Sequence, residues 1–184
     1  MDKPVLRGEL VVLRPIGPQD VDAMWEMLND PEGRRLTGTT REYTYEETQA
    51  WCASLAERDG RVDWAVTHET DEYLGEIALL DIDLTHANAR LQMSLRPGQR
   101  GRGFGSEAIA LVLAHAFSPA PVGLGLHRVH LDVLSINPRA RILYESLGFV
   151  EEGRARETHR DGDFWADSIV MAVLEDDYRA AQGE

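Results

Sequence analysis

Three glycines and two arginines are concentrated in one short segment, Arg100–Gly105, between a candidate strand and a candidate helix. Apolar and polar residues alternate over residues 91–95, as in a half-buried strand. From Ser106 onward apolar residues recur every three or four positions, as on an amphipathic helix. Glycines leave backbone N–H groups uncovered, and a helix N-terminus adds the positive end of its dipole. The segment is therefore predicted to bind an anion, with a phosphate as the simplest candidate.

Two common classes of phosphate-binding loop are disfavoured by what this segment lacks. A Walker loop requires Gly-Lys-Ser/Thr, but the only lysine of the chain is Lys3. A dinucleotide-binding turn requires G-x-G-x-x-G, and counting from Gly101 puts Ser106 at the third glycine position. On this segment alone, an ordinary glycine-rich turn between a strand and a helix stays open as an alternative.

A second segment that could carry chemistry is the short helix predicted after Asn137. Asn137 is a favourable N-cap, Pro138 suits the first helical position, and Gly148 suits the position just beyond the helix. Tyr144 follows Asn137 by about two turns at roughly 3.6 residues per turn, so both residues face the same side. Packing in the core is the plain alternative for this tyrosine.

Together the two segments resemble the GNAT N-acetyltransferases. Arg100-x-x-Gly103-x-Gly105 resembles the Q/R-x-x-G-x-G/A loop that holds the diphosphate of acetyl-CoA in that superfamily. The Asn137 helix and the Gly148-Phe149 that follows resemble its second conserved segment. Further matches extend over nearly the whole chain, from residue 6 to residue 175, and look like the RimJ/RimL branch, which includes ribosomal-protein, spermidine and antibiotic acetyltransferases.

The resemblance implies that acetyl-CoA is the co-substrate and lies in a cleft where two strands splay apart. The residues implied to hold its diphosphate form the glycine loop: Arg100, Gly101, Arg102, Gly103, Phe104, Gly105 and Ser106. The backbone of Met93, Ser94 and Leu95 is implied to pair with the pantetheine amides, as an added strand would. Asn137 is expected to contact the cofactor, to cap its helix, or to do both.

The resemblance also implies the reaction, which is direct attack of a primary amine on the thioester in a ternary complex. Tyr144 is the predicted general acid, because a tyrosine with a reference pKa near 10 is protonated at neutral pH and can protonate a departing thiolate. A backbone N–H near Leu95 is the candidate donor to the oxyanion. Three residues on or near one predicted hairpin are possible bases or substrate contacts, and no rule selects one: Glu76, Asp81 and His86.

The expected fold is one domain over residues 1–184, of the α/β class. Its sheet should be mixed and mostly antiparallel, splayed at the cofactor cleft, with helices on both faces, as the GNAT resemblance implies. Asn29-Asp30-Pro31 is predicted to end the first helix. Residues 34–40 are then expected to connect two helices, and in the resembled family this connection forms a wall of the acceptor pocket. Arg34, Arg35 and Thr37 are therefore possible substrate contacts, or solvated loop residues.

Composition restricts the function further. The formal net charge of -13 argues against a nucleic-acid partner, because neutralising phosphates requires clustered cations. An acidic surface favours positively charged amines, although it can equally serve solubility alone. No apolar run is long enough to span a bilayer, so we expect a cytoplasmic protein without a membrane partner. The single cysteine, Cys52, is expected to pack in the core, and no metal-ligand cluster is expected.

The sequence leaves three questions open. The acceptor could be a protein or peptide N-terminus, a polyamine or another small amine such as an aminated antibiotic. A noncatalytic acyl-CoA-binding sensor stays the alternative to an enzyme, although an intact Tyr144 counts against it. A homodimer is possible, as in many members of the resembled superfamily.

Overall fold

A computed structural model describes residues 3–183. In this part of the chain the strands are β1 (Leu6–Arg7), β2 (Val12–Pro15), β3 (Val62–Thr67), β4 (Tyr73–Asp83), β5 (Asn88–Leu95), β6 (Arg128–Leu134), β7 (Val150–Asp161) and β8 (Phe164–Leu174). The helices are α1 (Val21–Leu28), α2 (Pro31–Thr37), α3 (Tyr45–Leu55), α4 (Phe104–Phe117), α5 (Pro138–Ser146) and α6 (Glu175–Gln182).

The strands form a single sheet in the order β1-β2-β3-β4-β5-β6-β8-β7. Neighbouring strands are antiparallel except β5 and β6, which are parallel. This arrangement confirms the predicted mixed, mostly antiparallel sheet. β5 and β6 pair only from Asn88 with Arg128 to Arg90 with His130, and the two strands diverge beyond that point. The predicted splay is therefore present, and it opens a cleft beside residues 91–95.

Each face of the sheet packs against helices because side chains alternate along the strands. One face carries Trp64 and Ile77, which pack with the apolar side of α4, including Ile109. The opposite face packs against α1 and α3, where Met24 and Cys52 are buried. The burial of Cys52 confirms its predicted packing role. The glycine loop immediately precedes α4, so the packing of α4 against Trp64 and Ile77 fixes the position of that loop.

The segment after α1 differs from its prediction. Asn29-Asp30-Pro31 does end α1 at Leu28, but the same residues begin α2 instead of a connecting loop. Asp30 accepts a hydrogen bond from the Gly33 N–H at 2.7 Å, and Pro31 occupies the first turn, where its missing N–H costs nothing. The predicted connection over residues 34–40 is thus wrong in its first half, because Asp-Pro both ends one helix and starts the next.

Local sequence signals mark the ends of three elements, among them the predicted N-cap of α5. Thr44 and Glu47 form the reciprocal capping box that begins α3. Asn137 caps α5, since its side-chain oxygen accepts a hydrogen bond from the Ala140 N–H at 3.2 Å. Asp161 ends β7 at the turn to β8. Within residues 3–183, no helix has the length and apolar character needed to cross a membrane.

Candidate active site

A cavity of about 570 Å³ lies at the splay between β5 and β6. Its walls come from α2, from β4 and β5, from the glycine loop and from the start of α5. The residues of the sequence-predicted site that line it are Glu76, Met93, Ser94, Leu95, Arg100, Gly101, Gly103, Gly105, Ser106, Asn137 and Tyr144. Arg34, Arg35 and Thr37 line it as well, on the α2 side. The splay therefore brings most of the predicted residues to one space.

The glycine loop has the geometry of an anion cradle. Gly101 and Gly103 have φ values of 76° and 87°, in the left-handed region that side chains disfavour. Gly103 is the N-cap of α4, so the loop lies at the positive end of that helix dipole. A Cβ atom at Gly105 would lie 2.9 Å from Met93 Cε, which shows how closely the loop approaches β5. These features fit a diphosphate.

Two residues assigned to this loop point elsewhere. Phe104 is 6% exposed in the core and packs edge-on against His68. The Arg102 guanidinium lies 5.0 Å from the centre of the Phe104 ring and donates to Gln99 Oε1 at 2.8 Å. Neither residue lines the cavity. Their side chains therefore hold the shape of the loop, so the predicted contact of these two residues with the cofactor would be made by their backbone N–H groups.

The side chains of Arg100 and Arg139, both beside the loop, point in different directions. The Arg100 guanidinium donates to Glu32 and Asp30 on the α2 side, at 3.0 Å in each case, instead of reaching over the glycines. Arg139 instead lies against the loop, and a Cβ atom at Gly101 would collide with its guanidinium. Arg139 lines the cavity at the start of α5. Sequence reasoning missed it, and its only signal was its place two residues after Asn137.

Tyr144 lies on the inner side of α5 and is only 9% exposed. Its ring packs against Phe149 with the ring centres 5.7 Å apart. Burial raises the pKa of the Tyr144 hydroxyl to about 12, so the group is protonated throughout the neutral range. The residue thus packs in the core and also lines the cavity, which combines the two interpretations drawn from the sequence.

Glu76 lies in the middle of β4, opposite Ser94 of β5 and Ala65 of β3. Burial of the carboxyl, together with the negative charge of Asp63, raises its pKa to about 7 against the opposing effect of Arg61. A carboxyl with this pKa exchanges its proton near neutral pH, as a general base requires. Glu76 alone among the three possible bases lines the cavity.

Asp81 and His86 lie at the far end of the β4–β5 hairpin, away from the cavity. Asp81 is exposed and accepts a hydrogen bond from Arg90 Nε at 3.1 Å. His86 is also exposed, with its Nδ1 atom 2.7 Å from Asp83 Oδ2. Asp81 follows Glu76 by five residues, roughly 16 Å along an extended strand. The structure therefore does not bring these two residues to the cavity.

The inner strip of β5 has the backbone geometry expected for pantetheine. One edge of Met93, Ser94 and Leu95 pairs with Ile77, Glu76 and Gly75 of β4. Within residues 3–183, the opposite edge of this strip has no strand partner because β6 has already diverged. Buried backbone groups require hydrogen-bond partners, and an extended amide-bearing chain could supply them here.

Comparisons with known proteins agree with this site. Residues 11–150 match the family model described as an acetyltransferase (GNAT) domain. The spermidine N(1)-acetyltransferase of Vibrio cholerae is 33% identical over 105 residues, which span 57% of this chain and 58% of that enzyme. An uncharacterized N-acetyltransferase of Bacillus subtilis, YoaA, is 28% identical over 176 residues, 93% of this chain and 97% of the relative.

A solved structure supports the fold. The crystal structure of Vibrio cholerae spermidine N-acetyltransferase in complex with CoA and spermine matches with a TM-score of 0.84 at 24% identity, covering 94% of this chain and 99% of that one. The splayed sheet and the glycine loop define an acyl-CoA-dependent transferase fold. The chain belongs to the GNAT acetyltransferase family. It is an N-acetyltransferase whose co-substrate is acetyl-CoA and whose reaction transfers the acetyl group to an amine.

Proposed function

We propose that this enzyme acetylates a small primary amine, with Glu76 as general base and Tyr144 as general acid. The observation that carries the proposal is that both side chains line one cavity with the glycine loop. Their pKa values are displaced to about 7 and about 12, respectively. Glu76 can therefore accept a proton near neutral pH while Tyr144 keeps its own, which suits the base and acid roles of one reaction.

The co-substrate would be held by this chain's backbone more than by its side chains. The N–H groups around Gly101 and Gly103 would bind the diphosphate, with the Arg139 guanidinium beside them. The open edge of Met93 to Leu95 would pair with the pantetheine amides. Asn137 would act through the helix it caps, because its side-chain oxygen already accepts the Ala140 N–H. Ser106 would add a hydroxyl at the start of α4.

The chemical step transfers one acetyl group. The neutral amine nitrogen attacks the thioester carbonyl carbon, forming a C–N bond while the carbonyl oxygen becomes an oxyanion bound by a backbone N–H near Leu95. Glu76 takes a proton from the nitrogen. The C–S bond then breaks, and the thiolate takes the Tyr144 proton. Although a thiol has a reference pKa of about 8.5, a buried thiolate is itself desolvated, which raises its proton affinity and favours this transfer.

A polyamine is the first acceptor to test. The spermidine N(1)-acetyltransferase of Vibrio cholerae is named for a polyamine, whereas a relative from Drosophila melanogaster is named an alpha/beta-tubulin N-acetyltransferase. Glu32 of α2 and Glu76 of β4 both line the cavity, where they suit a cationic amine. A peptide N-terminus remains the second acceptor class from the sequence. Several properties stay predictions of the sequence. They are the RimJ/RimL-like branch, a single domain over the whole chain, a cytoplasmic location, a homodimer, and the absence of a nucleic-acid or membrane partner.

The test is release of free thiol from acetyl-CoA with separate amines: spermidine, an aminoglycoside, and short peptides beginning with Ala, Ser or Met. We expect turnover with spermidine and little with the peptides. Selective turnover of a peptide would move the acceptor to protein N-termini. Binding of acetyl-CoA without turnover of any amine would favour the noncatalytic sensor, and absence of binding would contradict the assignment of the cofactor site.

A further inference from the structure

Arg100 belongs to the glycine loop in sequence, but its side chain leaves the loop. Nη1 donates to Glu32 at 3.0 Å, and Nη2 donates to Asp30 at 3.0 Å and to the Leu95 carbonyl at 3.3 Å. The side chain of Asp30 is 14% exposed, so this pair is partly shielded from solvent. Arg100 therefore connects the loop to the start of α2, across about seventy residues of sequence.

The contact between Arg100 and Asp30 is tightly packed on the α2 side. The same Asp30 carboxylate oxygen that accepts from Arg100 also caps α2 by accepting the Gly33 N–H at 2.7 Å. A Cβ atom at Gly33 would lie 3.0 Å from Arg100 Nη2 and 3.0 Å from Asp30 Oδ2. A larger residue would push the guanidinium away. The absence of a side chain at position 33 thus lets Arg100 pack against the helix.

Helix α2 depends on such contacts because it has no buried residue of its own. Its last turn is held in a similar way, since Arg35 donates to both carboxylate oxygens of Asp161 at 2.7 and 2.6 Å. Between these two anchors, α2 forms one wall of the cavity where the acceptor would bind. Apolar burial contributes little to its position, so loss of one anchor should loosen the wall.

We propose that Arg100 is a positioning residue that couples binding of acetyl-CoA at the glycine loop to the order of α2. This inference rests on the proposed function, because it requires the diphosphate to bind the loop. A bound diphosphate fixes the loop backbone that carries Arg100, and the guanidinium transmits that restraint to Asp30 and Glu32. A helix that is already restrained loses less conformational entropy when the amine binds, which gives positive coupling between the two sites.

Hydrogen exchange of α2 amides with and without CoA tests this coupling without the acceptor. In the wild type, we expect CoA to slow exchange in residues 32–37 by about fivefold or more, at the lower end of typical coupling free energies. In Arg100→Gln, calorimetry should find CoA affinity within about twofold of the wild type, while the slowing disappears. Asp30→Asn keeps the one oxygen that accepts from both Gly33 and Arg100 and removes only its charge, so it should retain part of the slowing.

Arg35→Gln is the matched control at the other end of the helix. It should speed exchange of α2 in both states and leave the CoA-dependent difference in place. If CoA affinity fell about tenfold in Arg100→Gln while the slowing persisted, Arg100 would be a cofactor ligand and the proposal would be overturned. CoA binding to the wild type without any slowing of α2 exchange would overturn the coupling proposal and leave the proposed function in place. Absence of CoA binding would overturn both.

Discussion

Tyr144 and Glu76 acquire different proton affinities from the same fold. Tyr144 is held on the inner face of α5, where burial alone raises its pKa to about 12. Glu76 lies on β4, where burial and the nearby Asp63 raise its pKa to about 7. Burial is the largest cause of the shift for both groups. The sheet and the helix thus supply an acid that keeps its proton and a base that can accept one near neutral pH.

Tyr144→Phe should lower turnover without weakening the binding of acetyl-CoA. The phenyl ring preserves the packing against Phe149 and removes only the proton donor. General acid catalysis contributes about 100-fold to 10,000-fold, so we expect kcat to fall by about 100-fold. Steady-state kinetics and calorimetry measure the two effects separately. Unchanged kcat would show that Tyr144 is a packing residue only.

The pH profile should report the titration of Glu76. A general base must be ionised, so the rate should be low at pH 5 and rise through a pKa of about 7. Glu76→Gln should lower the rate strongly and remove this rise, while a rise caused by ionisation of the amine itself would persist in the variant. Profiles of kcat/KM for both proteins distinguish the two causes. An identical rise in both would exclude Glu76 as the base.

Arg139→Gln should weaken acetyl-CoA binding more than it lowers kcat. Its guanidinium lies against Gly101, where a diphosphate would add negative charge. Loss of one charge-assisted contact costs about 1.5–3 kcal/mol, which corresponds to an affinity decrease of about tenfold or more. Titration calorimetry measures this directly. An affinity equal to that of the wild type would remove Arg139 from the cofactor site.

The residue types in the sequence identify much of this site, but which of these residues lie close together depends on how the strands pair. Glu76 and Asp81 are five positions apart on one predicted hairpin, and nothing local indicates which end of it meets the cleft. Pairing of Glu76 with Ser94, beside the splay, decides the choice. Arg100 shows the same limit, because the glycine spacing identifies the loop while the partners of the guanidinium lie in a distant segment.

At the scale of elements, the entry to α4 is held by a side chain that no motif marked as important. Glu107, in the first turn of α4, accepts backbone hydrogen bonds from Glu9 at 2.9 Å and from Leu10 and Val11 at 2.7 Å each. A carboxylate in this position also interacts favourably with the helix dipole. The contacts attach the turn between β1 and β2 to the helix that follows the glycine loop.

Glu107→Ala should therefore destabilise the fold. It leaves three N–H donors without their acceptor, and we expect the free energy of unfolding to fall by about 2–3 kcal/mol. Glu107→Gln keeps one carbonyl oxygen and should lose about half as much. Urea denaturation of both variants measures the difference. Equal stability of all three proteins would mean that water replaces the carboxylate at no cost.

Helix α2 shows why some elements escape prediction. Its residues have no apolar periodicity, because none of them is buried, so the usual signal of an amphipathic helix is missing. Asn29-Asp30-Pro31 satisfies the rule for a helix end and also the rule for a helix start, and local sequence does not rank the two. By contrast, α5 has marked ends on both sides and was predicted correctly. Capping residues are most informative where periodicity agrees with them.

At the scale of the whole molecule, the net charge of -13 gives the enzyme a negative field that acts on any charged reactant. A polyamine approaches as a multivalent cation, whereas acetyl-CoA approaches as an anion and needs the local cations around the glycine loop. The field should thus favour encounter with the amine. It should act on the association step more than on the chemical step, because kcat is measured after both substrates have bound.

Salt should consequently lower kcat/KM for spermidine while kcat changes little. Raising the salt concentration from about 0.01 M to about 1 M shortens the Debye length from about 30 Å to about 3 Å, which removes attraction beyond direct contact. A monoamine acceptor is the control, because its single charge should produce a shallower slope. The measurement is kcat/KM for each amine over the same range of sodium chloride concentrations, which gives the two slopes to compare. Equal slopes would mean that the acidic surface serves solubility and does not select the substrate.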